Sequence, residues 1–173
     1  MKILALTSSP LPFGTNVTDG AGYRTWVLLT RLAEDAEVYV LSLYEDMHGR
    51  PAVGPLKESG LRIIPTSCHR RAISQRIHDL QPDVIYLASW PLYVFIPRTH
   101  GTLMIDFIGP SLLESTYTRK YPRSLTARVK QEALANASLI VCANERQRYY
   151  ILGFLFSRNI QVNAELIRVV PPT

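Results

Sequence analysis

Residues 2–33 constrain this chain more than any other stretch. They hold an apolar run, Ile3-Leu4-Ala5-Leu6-Thr7, then a turn-rich loop over 8–19, then Gly20-Ala21-Gly22-Tyr23-Arg24 at the head of a helical pattern. The order predicts strand, glycine loop and helix. In a parallel sheet such a unit sets backbone N–H groups and a helix N-terminus at the carboxyl edge, where anions and phosphates bind without base or metal chemistry. Gly20 and Gly22, which have no Cβ, allow a ligand to approach the backbone closely.

The periodicity then switches repeatedly. Tyr23, Trp26, Val27, Leu29, Leu32 and Ala33 form one apolar stripe, which carries the first helix to about Ala33. A buried second strand is expected at 38–43, a helical turn at 56–59 closed by Gly60, and a third strand at 61–65. Ile73, Ile77 and Leu80 are spaced as one helix face, so 71–80 reads as an amphipathic helix stopped by Gln81-Pro82. A fourth strand follows at 84–87, and Ser89-Trp90-Pro91 opens a short helix. The fifth strand, 102–105, ends at Asp106, and Pro110 begins a helical stretch through Glu114. Beyond it lie a helix over 124–137, a strand over 139–142, a helix opened by Asn144 with Gln147 and closed by Gly153, and a last strand at 167–170.

Alternation at this spacing predicts an α/β fold: a Rossmann-like parallel sheet with helices on both faces and right-handed crossovers. The 173 residues, 47% of them hydrophobic, are enough for one self-sufficient domain over 1–173. In such sheets ligands sit beyond the carboxyl ends of the strands, which selects the loops at 8–22, 88–91, 106–110 and 143–146.

Several classes are set aside. Cys68 and Cys142 stand far apart in no metal-ligand spacing and read as reduced thiols of a cytoplasmic protein; the four histidines show no ligand spacing either, so no metal is expected. The apolar residues after Lys2 are too few for a signal peptide, and the apolar stretch 84–96 is interrupted by Ser89 and Pro91, so no membrane span is expected. The net charge of +5 is compatible with nucleic acid, anionic lipid, a phosphorylated ligand or a plain solvated surface. No recognition motif, aromatic–basic interleaving or zinc spacing supports nucleic acid.

Asp19-Gly20-Ala21-Gly22-Tyr23-Arg24 after a strand and long loop, with Glu37-Val38-Tyr39-Val40-Leu41 behind it, resembles the opening of family 4 glycosyltransferases of the GT-B fold. Pro82-Asp83-Val84-Ile85, Leu139-Ile140-Val141-Cys142 and Ile167-Arg168-Val169-Val170-Pro171 resemble three later landmarks of the N-terminal half, in the same order. The resemblance implies an acceptor-side domain, with the donor-binding domain absent from this chain, and hence no transfer by the chain alone. It implies retaining transfer of a sugar from a nucleotide-diphosphate sugar to a hydroxyl of a glycan or lipid-linked acceptor. No cofactor or metal is required, and the donor enters as a substrate.

Position by position, the resemblance sets Gly20 and Gly22 against the donor diphosphate and the acceptor, and Asp106 beside the transferred sugar as the catalytic carboxylate. On the residues themselves, Asp106 reads equally as a turn cap. Arg24 adds a guanidinium to the helix start and so suits a phosphate. Trp90 is placed to stack on a sugar or simply to pack, and Glu114 to meet an acceptor hydroxyl or to sit exposed on a helix. The basic segment 119–130 would draw the protein to the surface of an anionic membrane. Two other classes stay open: a non-enzymatic α/β nucleotide- or nucleic-acid-binding module, and a dinucleotide-dependent oxidoreductase domain. The latter wants its glycines directly after the strand, whereas here some twelve residues intervene and Thr25 replaces the third glycine.

Overall fold

The computed structural model describes residues 1–12, 18–43, 56–97, 101–109, 123–161 and 163–171. Among them, eight strands form one sheet in the order β3-β4-β2-β1-β5-β6-β7-β8. The strands are β1 (Lys2–Thr7), β2 (Glu37–Ser42), β3 (Leu56–Glu58), β4 (Leu61–Pro65), β5 (Val84–Leu87), β6 (Thr102–Phe107), β7 (Leu139–Cys142) and β8 (Ile167–Val169). All pairings are parallel except β3 with β4. The α-helices are α1 (Gly20–Leu32), α2 (Arg70–Leu80), α3 (Arg123–Asn136) and α4 (Glu145–Ser157). A 3-10 helix spans Trp90–Phe95.

β1 runs through the middle, with Ile3 opposite Val38 on one side and Val84 on the other. From β1 the chain builds outward through β2 and β4, then returns and builds the other way through β5 to β8. The reversal leaves a crevice at the carboxyl end of β1.

The apolar residues divide by strand period. Leu4, Leu6, Leu87, Ile105 and Phe107 pack with Ile73 of α2, Leu92 of the 3-10 helix, Leu134 of α3 and Ile151 of α4. Ile3, Ala5, Val38, Val40 and Tyr86 pack against Leu29, Trp26 and Leu32 of α1. Both faces are therefore covered, one of them by α1 alone among the described helices, which is why β1 is buried at every position from Ile3 to Thr7. Removing a buried leucine from such a core costs about 2–5 kcal/mol.

Three expectations change. The helical turn at 56–59 is instead the strand β3, hairpinned onto β4 through Ser59 (φ 51°) and Gly60 (φ 80°). Two consecutive positive-φ residues make a turn whose twist matches paired strands, so the glycine marks a hairpin and not a helix cap. Gly153 does not close its helix: α4 continues to Ser157, and Asn159 at φ 54° supplies the left-handed stop. β6 runs through Asp106 to Phe107. The stretch at 110–114 lies outside the described residues. Cys142 is buried, Cys68 is exposed, and neither forms a disulfide. Among the described residues no helix is long and apolar enough to cross a membrane.

Candidate functional site

A cleft of about 240 Å³ opens at the carboxyl edge where the strand order reverses. Thr7 at the end of β1 with Ser8 and Ser9 after it, Ala21 on the first turn of α1, Ala88, Ser89 and Trp90 after β5, and Ile108 and Gly109 after β6 line it. A larger groove of about 690 Å³ lies along the far end of α4, lined by Leu152, Leu155, Phe156 and Ile160 among others. It is mostly apolar and far in the fold from the strand carboxyl ends, so the smaller cleft is the candidate site.

Local sequence explains the cleft's walls. α1 begins where Asp19 turns its side chain onto its own helix, Oδ1 accepting from Gly22 N at 2.6 Å. Tyr23 N donates to the Asp19 carbonyl at 2.9 Å. The amides of Gly20 and Ala21 have no acceptor among the described residues, as expected for the first turn of a helix. Gly22 is buried, and a Cβ there would collide with the Pro10 carbonyl oxygen and come within 2.6 Å of Thr18 Oγ1. Its glycine is needed for the loop after β1 to close over α1. A Cβ on Gly20 would meet nothing within 4 Å, so Gly20 is the glycine that leaves open space.

Arg24 and Asp106 meet each other. Arg24 Nε donates to Asp106 Oδ2 at 2.8 Å and Nη2 donates to Oδ1 at 3.0 Å, while Nη1 donates to the Val170 carbonyl at 2.8 Å. Tyr86 adds its hydroxyl to Asp106 Oδ2 at 3.1 Å. Asp106 and Tyr86 are fully buried and Arg24 nearly so. Burial pushes the Asp106 carboxyl above its usual range, against the pull of Arg24 and the Tyr86 hydroxyl. Burial, with the carboxylate beside it, drives the Tyr86 hydroxyl well above the ordinary phenol value. A buried ion pair is tolerated where the charged atoms are hydrogen-bonded, and here both carboxylate oxygens and all three guanidinium nitrogens have a partner.

This geometry alters two expectations. Asp106 was expected to end a strand and face a sugar; it lies inside β6 with both carboxylate oxygens engaged and no exposure. Arg24 was expected to meet a phosphate; its guanidinium is committed to Asp106 and Val170. As placed, neither is open to a ligand, because α1 crosses the sheet face from which Asp106 projects. Trp90 does line the cleft, and Gly20 and Gly22 flank Ala21 at its edge. Glu114 and the basic run at 119–122 lie outside the described residues.

Three of the four loops selected from the sequence line the cleft, whereas Thr7, Ser8, Ser9 and Ser89 are not singled out there as ligand-facing residues. Their signal was position alone: hydroxyls directly after two adjacent buried strands. Tyr86 was read only as a strand residue. The loop at 143–146 contributes no lining residue; it supports from behind, Asn144 capping α4 through Gln147 N at 2.9 Å and Gln147 Nε2 donating to the Ile108 carbonyl at 3.2 Å.

No protein-family model and no curated protein sequence matches the chain. Solved structures do. The sucrose-phosphate synthase of Thermosynechococcus elongatus superposes with a TM-score of 0.70 at 11% identity, over 98% of this chain and 47% of the other. HepE of Anabaena in complex with UDP-glucose gives 0.64 at 16% identity, over 99% of this chain and 44% of its own. HepE with UDP and glucose gives 0.62 at 15% identity, with the same coverage. The fold is that of one GT-B half. The chain spans less than half the length of these proteins, and identities this low establish a shared fold, so the GT-B architecture read from the landmark order stands on independent coordinates.

Proposed function

We propose that this chain is the acceptor-side half of a glycosyltransferase that moves a sugar from a nucleotide-diphosphate sugar to an acceptor hydroxyl with retention of configuration. One observation carries the reading: the hydroxyl-lined cleft with Trp90 lies at the switch point of a sheet shared with a protein solved with UDP-glucose and with UDP and glucose. Ser8, Ser9 and Ser89 supply donors and acceptors suited to sugar hydroxyls, while Thr7 and Trp90, both buried, back the wall behind them.

Gly20, exposed at the head of α1, lies at the mouth, where the amides of Gly20 and Ala21 would meet the leaving diphosphate as it gains charge. Asp106 supports this arrangement from below through Arg24 and does not touch the reacting atoms. The acceptor is a glycan or a lipid-linked sugar, and the donor's nucleoside is read by a second domain outside this chain. With one wall of the cleft, the nucleotide sugar should bind at around millimolar strength and not be turned over, because few oriented contacts and no water exclusion remain. Calorimetry of this chain with UDP-glucose and a transfer assay on the same protein test this. Micromolar binding or turnover by the chain alone would overturn the half-enzyme reading, and the absence of any shift at cleft amides with millimolar UDP-glucose would overturn the site.

A further inference from the structure

The helix α4 is apolar on two sides. From Tyr149 to Phe156 it carries no charged residue, only apolar side chains and Gly153. Ile151 and Leu155 are buried against the sheet, and Tyr150, Leu152 and Phe154 are partly covered by the same core. Tyr149 and Phe156 lie two turns apart on the outer side, 67% and 86% exposed. Gly153 is exposed between them, and a Cβ there would meet nothing within 4 Å. A helix that is apolar all round is normally covered all round. The groove of about 690 Å³, with Leu152, Leu155, Phe156 and Ile160 in its walls, continues this apolar surface past the helix end.

Charge on α4 is confined to its two ends. Arg146 and Arg148 stand at the start with Glu145, which Arg148 meets at 3.4 Å, and exposed Arg158 follows the last turn. Both ends are therefore net positive. The Arg158 guanidinium carbon is 5.8 Å from the Phe154 ring centre, so its stem lies along apolar surface while its head reaches water. Such ends answer an anionic occupant and oppose a second copy, because any two-fold pairing of α4 with itself sets arginine against arginine. The two exposed aromatic side chains also offer only about 300 Å², well below the ~800 Å² per partner of a stable protein interface. A lipid surface needs neither that area nor a complementary shape.

We infer that the outer face of α4 docks the protein on an anionic lipid surface, Tyr149 and Phe156 entering the boundary between headgroups and acyl chains while Arg146 and Arg158 meet lipid phosphates. The inference stands on α4 and does not depend on what the cleft binds. With 13 residues, α4 is about 20 Å long, and it starts beside the cleft rim, where Gln147 Nε2 donates to the Ile108 carbonyl. Lying in the plane of the bilayer, it holds the cleft at the level of the lipid, within reach of an acceptor anchored there.

The test is sedimentation of protein 1–173 with vesicles of phosphatidylcholine, alone or with about one-third phosphatidylglycerol, at about 0.1 M salt. The wild type should bind the anionic vesicles about tenfold more strongly than the neutral ones. Tyr149→Ser combined with Phe156→Ser changes only exposed side chains, so the fold is kept, and should lower that binding about tenfold or more. Arg146→Glu should lower it about tenfold. Phe156→Trp should add a fluorescence that brominated lipid quenches. Gly153→Leu separates lipid from a protein partner: its side chain has open space and should strengthen insertion about threefold or more, whereas a face shaped for a second protein would bind less. Equal binding to neutral and anionic vesicles would overturn the inference. So would anionic binding that survives the double serine change, which would put the contact elsewhere on the basic surface. Self-association that Phe156→Ser abolishes, read by sedimentation velocity, would overturn it in favour of a second copy.

Discussion

Replacing Lys130 by methionine should stabilise the protein near neutral pH. Lys130 lies on α3 with no exposure, its Nζ 4.2 Å from the ring centres of Tyr150 and Phe154 and 4.9 Å from that of Phe107. It donates a hydrogen bond to the Tyr150 hydroxyl at 3.0 Å, and no carboxylate pairs with it among the described residues. Burial lowers its pKa from 10.5 to about 8. At about 1.4 kcal/mol per pH unit, protonating it in the folded state costs about 3 kcal/mol relative to the unfolded chain. The rings return part of this, since a desolvated cation over an aromatic face gains on the order of 1–2 kcal/mol. Methionine fills a similar volume and carries no charge, so the net gain expected is about 1–3 kcal/mol.

The sign follows from the folded value lying below the unfolded one. The neutral lysine's contribution to stability is complete above about 10.5 and is lost as pH falls through about 8. The advantage of Lys130→Met should therefore be greatest below pH 8 and shrink steadily toward pH 10.5. Urea denaturation of both proteins at several pH values between about 7 and 10 reads this directly, and the melting temperature near neutrality should rise by about 2–4 °C per kcal/mol. A methionine variant less stable at neutral pH, or a difference that does not change with pH, would refute the reasoning. Either would mean that the rings hold the ammonium more tightly than burial repels it.

Gly22→Ala should destabilise the fold by about 1–3 kcal/mol, since its Cβ meets the Pro10 carbonyl and Thr18 Oγ1, whereas Gly20→Ala, with open space around it, should be neutral or slightly stabilising; paired thermal melts separate the two. Asn144→Ala should cost about 1 kcal/mol by removing the acceptor for Gln147 N at the start of α4, and hydrogen exchange should rise first in the opening turn of that helix.

The fold was legible because its strands are buried on both faces. Continuous apolar runs such as Ile3-Leu4-Ala5-Leu6 and Leu139-Ile140-Val141-Cys142 cannot be solvent-facing, and the helical stripes between them fix the crossovers. What failed was local punctuation. Gly60 and Gly153 were both read as helix stops, yet one supplies a positive φ to a hairpin and the other lies in a helix that the tertiary fold extends to Ser157. The site was legible as loops and not as partners. Arg24 and Asp106 are 82 positions apart, and nothing in either's neighbourhood marks the other. Each looked like a free charge at a carboxyl edge, because a sequence displays charges without displaying which of them cancel.

The end of β6 gives that cancellation a mechanical consequence. Successive strand residues point to opposite faces, so Asp106 turns toward α1 and is held by Arg24 and Tyr86, while Phe107 turns the other way, its ring 5.9 Å from that of Tyr150 and under Lys130. Ile108, next along, gives its carbonyl to Gln147 of α4. Three consecutive residues are thus tied to elements on both faces of the sheet, and through Arg24 to Val170 beyond β8. Two of these ties hold buried charges, which a sequence optimised only for stability would replace by apolar residues. They stand directly beside Ile108 and Gly109, the rim of the cleft. Departures from local rules concentrated at one strand end are what a preorganised binding edge requires: the rim is set before a ligand arrives, and no ordering cost is added when it binds.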